Sequence, residues 1–115
     1  MADEAREGAR VERRREARQP VAVPVLVGGR LGAGSRFDEK TTTMDVSEHG
    51  ARVELRLQIR LQVGTEVTVE NLATGEKQGF RVARVSEPSG GRYYIGLEAS
   101  ELAPNFWRTE PGARF

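Results

Sequence analysis

A chain of 115 residues with a hydrophobic fraction of 37% is long enough for one domain with a modest core. Its formal net charge of +1 provides no general basic surface for a nucleic-acid polymer or a membrane. The sequence has no cysteine and one histidine, which excludes disulfide bonds, thiolate catalysis, cysteine-ligated zinc and multi-histidine metal sites. No segment has the about 18 consecutive apolar residues of a membrane span. The polar N-terminus lacks the apolar region of a secretory signal, so we expect a soluble cytoplasmic protein.

The first part of the chain is rich in alanine, glutamate and arginine but has no apolar face. A helix in this part would have nothing to dock against, because Val11 is its one sizeable apolar side chain between residues 2 and 18. We predict a flexible N-terminal arm over residues 1–11, a single domain over residues 12–103 and a C-terminal tail over residues 104–115. Arginines concentrate at positions 13, 14, 15 and 18, where the arm meets the domain.

The rest of the chain alternates β-favouring runs with turn signals and contains no convincing amphipathic helix. Gly28 to Ser35 is loop-like by composition, and Pro24, which has no amide donor, predicts an edge, a bulge or a gap in the ladder. The pattern indicates an all-β antiparallel barrel or sandwich, and we favour a six-stranded barrel because closure removes exposed edges. Phe106 and Trp107 in the tail are expected to cap one end of the barrel as a short helical turn or an ordered strap. Strands are predicted over residues 21–27, 37–46, 51–56, 66–70, 79–85 and 93–98.

Two short motifs have side chains suited to binding a nucleotide. Arg14 and Arg18 are four positions apart, and a guanidinium group can bind phosphate, donate to guanine or stack on a purine face. The segment Asp45–Gly50 combines a carboxylate that accepts from the Watson–Crick edge of guanine, the hydroxyl of Ser47 and a glycine that allows close backbone approach. Taken singly, an arginine run is usually a solvated surface and an Asp-Ser turn is usually a strand connection.

Together the two motifs resemble the two-part signature of PilZ domains, a family of receptors for cyclic di-GMP. The spacing Arg14-x-x-x-Arg18 resembles the first part, and the Asp-x-Ser-x-x-Gly pattern from Asp45 to Gly50 resembles the second. The resemblance covers roughly residues 12–100 and includes a valine-rich first strand with a proline. It implies a six-stranded antiparallel PilZ-type β-barrel with a flexible arginine segment that wraps over the ligand.

The same resemblance implies a set of ligand-binding residues. By this resemblance, the arginines of the first motif are expected to contact guanine and phosphate. The carboxylate and the hydroxyl of the second motif are expected to contact a guanine edge, and its glycine to permit the turn. An arginine directly before the motif implies capture of an intercalated pair of cyclic di-GMP molecules. No cofactor, metal ion or catalytic residue is implied. The implied residues are Arg13, Arg14, Arg18, Asp45, Ser47 and Gly50.

The expected function is a non-enzymatic receptor that orders its arginine arm when cyclic di-GMP binds and signals to an unidentified downstream protein. The alternative is a PilZ-like interaction module in motility or pilus assembly that does not bind nucleotide, although such relatives usually lack one of the two motifs. A small oligonucleotide-binding barrel is disfavoured by the near-neutral charge. No catalytic constellation indicates an enzyme, and neither a nucleic-acid polymer nor a membrane is expected as a partner.

Several other polar residues are open to interpretation. His49 is expected to be a surface turn residue rather than a catalytic or metal-binding group. Tyr93 and Tyr94 are expected to point to opposite faces of one strand. Four arginines in the predicted strands either extend a basic rim around the ligand or form a solvated strand face: Arg52, Arg56, Arg81 and Arg84.

Overall fold

The chain folds into a closed barrel of antiparallel strands. The computed structural model describes residues 18–31, 34–56, 60–101 and 105–109. The strands pair in the order β1-β2-β3-β6-β5-β4, and β4 pairs with β1 to close the barrel. This confirms the predicted all-β six-stranded antiparallel barrel. The described part of the chain has no helix that could cross a membrane as a long apolar segment. The strands are β1 (Pro24–Arg30), β2 (Arg36–Val46), β3 (Gly50–Leu55), β4 (Glu66–Asn71), β5 (Lys77–Val85) and β6 (Tyr93–Ala99).

Alternate side chains of the strands fill the barrel interior. The valines at odd positions predict one buried face, and Val23, Val25 and Val27 are each 0% exposed. Burial of each such side chain contributes about 1.5–3 kcal/mol before the entropic cost of ordering the chain. Tyr93 is buried and Tyr94 is partly exposed, which confirms that they point to opposite faces of β6. The period-two pattern therefore predicts correctly which face of most strands forms the core.

The first strand continues through glycines whose composition predicts a loop, and that prediction is wrong. Gly28 and Gly29 lie within β1, where the neighbouring strands approach closely. A Cβ atom on Gly28 would lie 3.2 Å from the Phe37 carbonyl oxygen, and one on Gly29 would lie 3.1 Å from the Glu66 carbonyl oxygen. The glycines therefore serve tight strand packing rather than a turn. Pro24 is the first residue of β1, a position where strands tolerate the missing amide.

The C-terminal aromatic side chains are part of the core, as predicted for a cap. Phe106 and Trp107 are 4% and 1% exposed. Their rings pack against Phe80 of β5 with centroid distances of 5.6 and 5.4 Å. The buried side chain of Asn71, at the end of β4, donates hydrogen bonds of 2.7 Å to the carbonyl groups of Phe106 and Arg108. These bonds fasten the turn at residues 105–107 to the barrel.

Candidate ligand-binding site

The predicted motif from Asp45 to Gly50 forms the hairpin connection between β2 and β3. The Ser47 amide donates to the Gly50 carbonyl at 2.8 Å, which leaves Glu48 and His49 as the exposed tip. The Ser47 hydroxyl accepts a hydrogen bond of 3.2 Å from the His49 amide. Ser47 is 7% exposed, so the loop holds its side chain against the barrel. His49 lies in a surface turn, as its sequence context indicates.

Gly50 is needed because β3 and β6 approach each other closely. Its φ angle lies outside the left-handed region that favours glycine, so the turn itself does not require this residue type. A Cβ atom at this position would lie 1.8 Å from the carbonyl oxygen of Leu97. The absence of a side chain at Gly50 therefore allows β3 to pack closely against β6.

The chain before β1 is fastened along the end of β2. Gln19 and Val46 form an antiparallel bridge with backbone hydrogen bonds of 2.8 and 2.9 Å. The buried hydroxyl of Thr43 accepts from the Val23 amide at 2.8 Å and donates to the Val21 carbonyl at 2.6 Å. These contacts place Arg18, which directly precedes Gln19, beside the hairpin.

A bulge in β2 turns Asp45 toward the outer face of the barrel. Thr43 pairs with Val53, whose side chain is in the core, but the register shifts before Asp45, which pairs with outward-facing Arg52. Regular alternation would place Thr43 and Asp45 on the same, inner face. The extra residue, Met44, reverses the direction for Asp45, which is a common use of bulges beside functional sites.

A second bulge, in β5, does the same for Arg84. Val82 pairs with Leu97, and both side chains are in the core. The register then shifts, and Arg84 pairs with Gly96 on the outer face. Arg52 also pairs with Gly96, from the other side. Because of the two bulges, Asp45, Arg52, Gly96 and Arg84 lie in one row on the outer face of the barrel, across β2, β3, β6 and β5.

Asp45 is the centre of a small ionic cluster. Its Oδ1 atom lies 2.8 Å from Nη1 of Arg18, and its Oδ2 atom lies 2.8 Å from Nη2 of Arg52. The Asp45 side chain is 12% exposed, whereas both arginine side chains are 54% exposed. The half-exposed guanidinium groups can therefore reach another anion, whereas the largely buried carboxylate needs a replacement donor when they leave it.

The ionic cluster borders a cavity of about 370 Å³. This volume lies at the low end of the roughly 300–1,000 Å³ that small-molecule sites occupy. A larger depression of about 790 Å³ over β1, β4 and β5 contains none of the predicted site residues, so volume alone does not identify the site. Among the described residues, no group of His, Cys, Asp or Glu is arranged to hold a metal ion. The smaller cavity is lined by Arg18, Asp45, Arg52, Arg84, Val85, Ser86, Tyr94, Ile95 and Gly96.

The structure brings together some of the predicted residues and not others. Arg18 and Asp45 are in contact, and the Ser47–Gly50 turn shapes the hairpin beside them. Arg13 and Arg14 lie outside the described residues, as does the predicted arm over residues 1–11.

Of the four arginines predicted in the strands, two lie at the rim of the cavity and two on the solvated surface of the barrel. Arg52 and Arg84 line the cavity as a basic rim, while Arg81 pairs with Glu98 at 2.6 Å on the barrel surface. Arg56 follows the end of β3 and does not line the cavity. Sequence reasoning did not connect Gly96 with the site, although a glycine in the middle of an alternating strand is a recognisable signal.

Comparison with known proteins agrees with this geometry. Residues 12–106 match the PilZ domain family. The inhibitor of motility MotI/DgrA from Bacillus subtilis superimposes with a TM-score of 0.56 at 19% identity, over 75% of this chain and 41% of that chain. The chain thus spans less than half of that protein, and the likeness shows the fold alone.

A second solved structure is the PilZ domain of CeSA from a cellulose-synthesizing bacterium. It superimposes with a TM-score of 0.50 at 26% identity, over 73% of this chain and 82% of that chain. No curated protein matches this chain in sequence. Because the family match extends over most of its length, the chain belongs to the PilZ domain family.

Proposed function

We propose that this chain is a non-enzymatic receptor for cyclic di-GMP that binds its ligand at the cavity beside Asp45. The observation that most supports the proposal is the hydrogen bond between Arg18 and Asp45, at 2.8 Å. These residues belong to the two halves of the PilZ signature, lie 27 positions apart in the chain, and meet at one cavity. We expect the receptor to act in the cytoplasm, without a nucleic-acid polymer or a membrane as partner.

The charge of the cavity suits this ligand. Three arginines and one carboxylate line it, Arg18, Arg52 and Arg84 against Asp45, so its formal charge is 3 − 1 = +2. Cyclic di-GMP has two phosphate groups, each with one negative charge. Complementary charge of this kind favours association and orients the ligand.

Exchange of hydrogen bonds provides a binding mechanism. The N1–H and 2-amino groups of guanine can donate to the two oxygens of the Asp45 carboxylate, which here accept from Arg18 and Arg52. The displaced guanidinium groups then become available to the phosphates or to O6 and N7 of guanine. One carboxylate thereby couples base recognition to the position of the arm.

The arm supplies the remaining part of the proposed mechanism. Arg13 and Arg14 precede the fastened residue Gln19 by a few positions, and we propose that they contact an intercalated pair of ligand molecules. Ordering of the arm costs conformational entropy, and the ordered arm is the signal that a downstream protein recognises. Hydrogen exchange of residues 10–20 should slow at saturating ligand, and unchanged exchange would contradict this step.

Calorimetric titration with cyclic di-GMP, compared with GMP, tests the receptor function. Asp45→Ala should weaken binding by roughly tenfold or more, because a bidentate contact to a base contributes about 1–3 kcal/mol. Asp38→Ala is the matched control, since Asp38 is an exposed aspartate on the same strand and does not line the cavity.

Arg14→Ala should also weaken binding, and Arg56→Ala, which removes an arginine away from the cavity, should not. A wild-type chain that binds no cyclic di-GMP well above micromolar concentration would refute the receptor function and favour the nucleotide-independent interaction module. A stoichiometry near one ligand per protomer would contradict the intercalated pair and leave the receptor function intact.

A further inference from the structure

The outer face of β1 lies between a strand with outward cations and a strand with outward anions. Leu26 of β1 pairs with Lys40 of β2 on one side and with Glu70 of β4 on the other. This row of side chains points outward, because Val25 and Val27, the neighbours of Leu26, point into the core. The row therefore has a cation at one end, an apolar side chain in the middle and an anion at the other end.

A second row on the same face repeats this order of charges at its ends. Arg30 of β1 pairs with Arg36 of β2. The pairing of Gly29 with Val67 places Glu66 of β4 beside Arg30 on the other side. Both rows thus have a cation on β2 and an anion on β4.

The four charges at the ends of the two rows are not neutralised by other residues that the structure describes. Within residues 18–31, 34–56, 60–101 and 105–109, their side chains form no ion pair and no hydrogen bond. The cation and the anion of each row are separated by β1, so their Cα atoms are about 10 Å apart, since adjacent strands are about 4.8 Å apart. These charges are available to a partner surface with the opposite order. They are Lys40, Glu70, Arg36 and Glu66.

A second copy of this chain presents that opposite order. A two-fold axis parallel to β1, between two facing barrels, exchanges the sides of β2 and β4 and keeps the level of each row. Lys40 then faces Glu70 of the partner subunit, and Arg36 faces Glu66 of the partner subunit. Leu26 faces Leu26 of the partner subunit. The face is therefore self-complementary, as a two-fold interface requires.

The middle of this face has room for the side chains of a second copy. Gly28 lies on β1 between the two rows and has no side chain, and Thr68 beside it on β4 is uncharged. Both residues line the depression of about 790 Å³ over β1, β4 and β5. Arg30 lies close to the axis, where the carboxylates of Glu66 from both subunits flank its guanidinium group.

We propose that this protein forms a symmetric dimer through the outer face of β1, with two ion pairs from each subunit to the other. A face of three short strands is smaller than the roughly 800 Å² per partner of a standard interface, so the dimer exchanges with the monomer. In the closed barrel β6 lies opposite β1. The cavity beside Asp45 therefore stays open in the dimer, and the inference does not depend on the proposed receptor function.

Charge reversal tests the dimer by sedimentation equilibrium at protein concentrations up to about 1 mM. Lys40→Glu and Glu70→Lys should each raise the dissociation constant of the dimer at least tenfold, because like charges then face each other twice. An equimolar mixture of the two variants should restore the affinity of the wild type, since each reversed charge then faces an opposite charge. Arg56→Glu is the matched control, because Arg56 is also exposed and follows the end of β3, which does not pair with β1.

Three results would overturn the proposal. The first is a wild type that stays monomeric at about 1 mM. The second is a dimer whose dissociation constant changes no more with Lys40→Glu and Glu70→Lys than with Arg56→Glu, because its interface then lies elsewhere. The third is a mixture of Lys40→Glu and Glu70→Lys that associates no better than either variant alone, because the two rows then do not face each other across a two-fold axis.

Discussion

Substitution of Gly50 by alanine is expected to damage the barrel rather than remove a ligand contact. The added Cβ would lie 1.8 Å from the Leu97 carbonyl oxygen and 2.9 Å from its carbonyl carbon, both of them backbone atoms that cannot rotate away. To relieve this clash, β3 must move away from β6 by more than about 1 Å, because the added Cβ would lie about that much closer to the oxygen than the shortest contacts in packed cores. That movement would also strain the hydrogen bond of 2.7 Å from the Ala99 amide to the His49 carbonyl.

The magnitude of the effect follows from these contacts. Overpacking costs about 1–3 kcal/mol, and the strained hydrogen bond adds about 1 kcal/mol. Gly50→Ala should therefore lower the free energy of unfolding by about 2–4 kcal/mol. For a domain of this size a loss of about 1 kcal/mol lowers the melting temperature by about 4 °C, so the expected decrease is roughly 8–16 °C.

Thermal unfolding followed by circular dichroism measures this loss. Gly79→Ala is the control, because the same change there adds a methyl group with no atom within 4 Å. Ligand titration of Gly50→Ala well below its melting temperature separates folding from binding, and the folded fraction should retain most of its affinity. A melting temperature equal to that of Gly79→Ala would refute the close approach of β3 and β6.

Three further predictions concern other parts of the barrel. Thr43→Val removes two of the hydrogen bonds that fasten the chain before β1, so it should cost about 2 kcal/mol and also weaken ligand binding, measured by urea unfolding and calorimetry. Asn71→Ala removes three side-chain hydrogen bonds and should cost about 3 kcal/mol in urea unfolding. Burial raises the pKa of Tyr93 above 10.0, so the folded state keeps this proton longer than the unfolded state. Its contribution to stability is complete below pH 10.0 and is lost as the pH rises through the folded-state pKa, which stability measurements across this range should detect.

Controls make these predictions specific. Thr42→Val changes an exposed threonine on the same strand and should leave both stability and binding unchanged. An Asn71→Ala variant as stable as the wild type would show that the C-terminal turn is held by its aromatic rings alone. Tyr93→Phe should abolish the loss of stability at alkaline pH that is due to this residue. The substitution also removes the hydrogen bond that the Tyr93 hydroxyl accepts from the Leu61 amide. Unchanged alkaline stability in the wild type would contradict the raised pKa.

Much of this fold could be predicted from local patterns. Alternation of apolar and polar residues identified the strands and most of the core, because side chains on a strand alternate between its faces. The segment Gly28–Arg30 was missed, because composition indicates that glycines are flexible but does not show how closely two neighbouring strands approach. The motif around Asp45 was recognisable because its residue types and spacing are specific.

The arrangement of the site depends on the tertiary structure. Period-two alternation places Asp45 on the same face as Thr43, and only the bulge in β2, seen through pairing with β3, turns it outward. The same holds for Arg84 and the bulge in β5, since register is a property of two strands rather than of one.

Local sequence thus determined most of the strands, most of the core and the signature residues, because each depends on neighbours along one chain segment. Closure of the barrel decided which charged side chains meet. It brought Arg18 to Asp45, set Arg52 and Arg84 on either side of Gly96, and made Gly50 a packing residue. These contacts join segments far apart in the chain, and their geometry follows from strand pairing that no local pattern encodes.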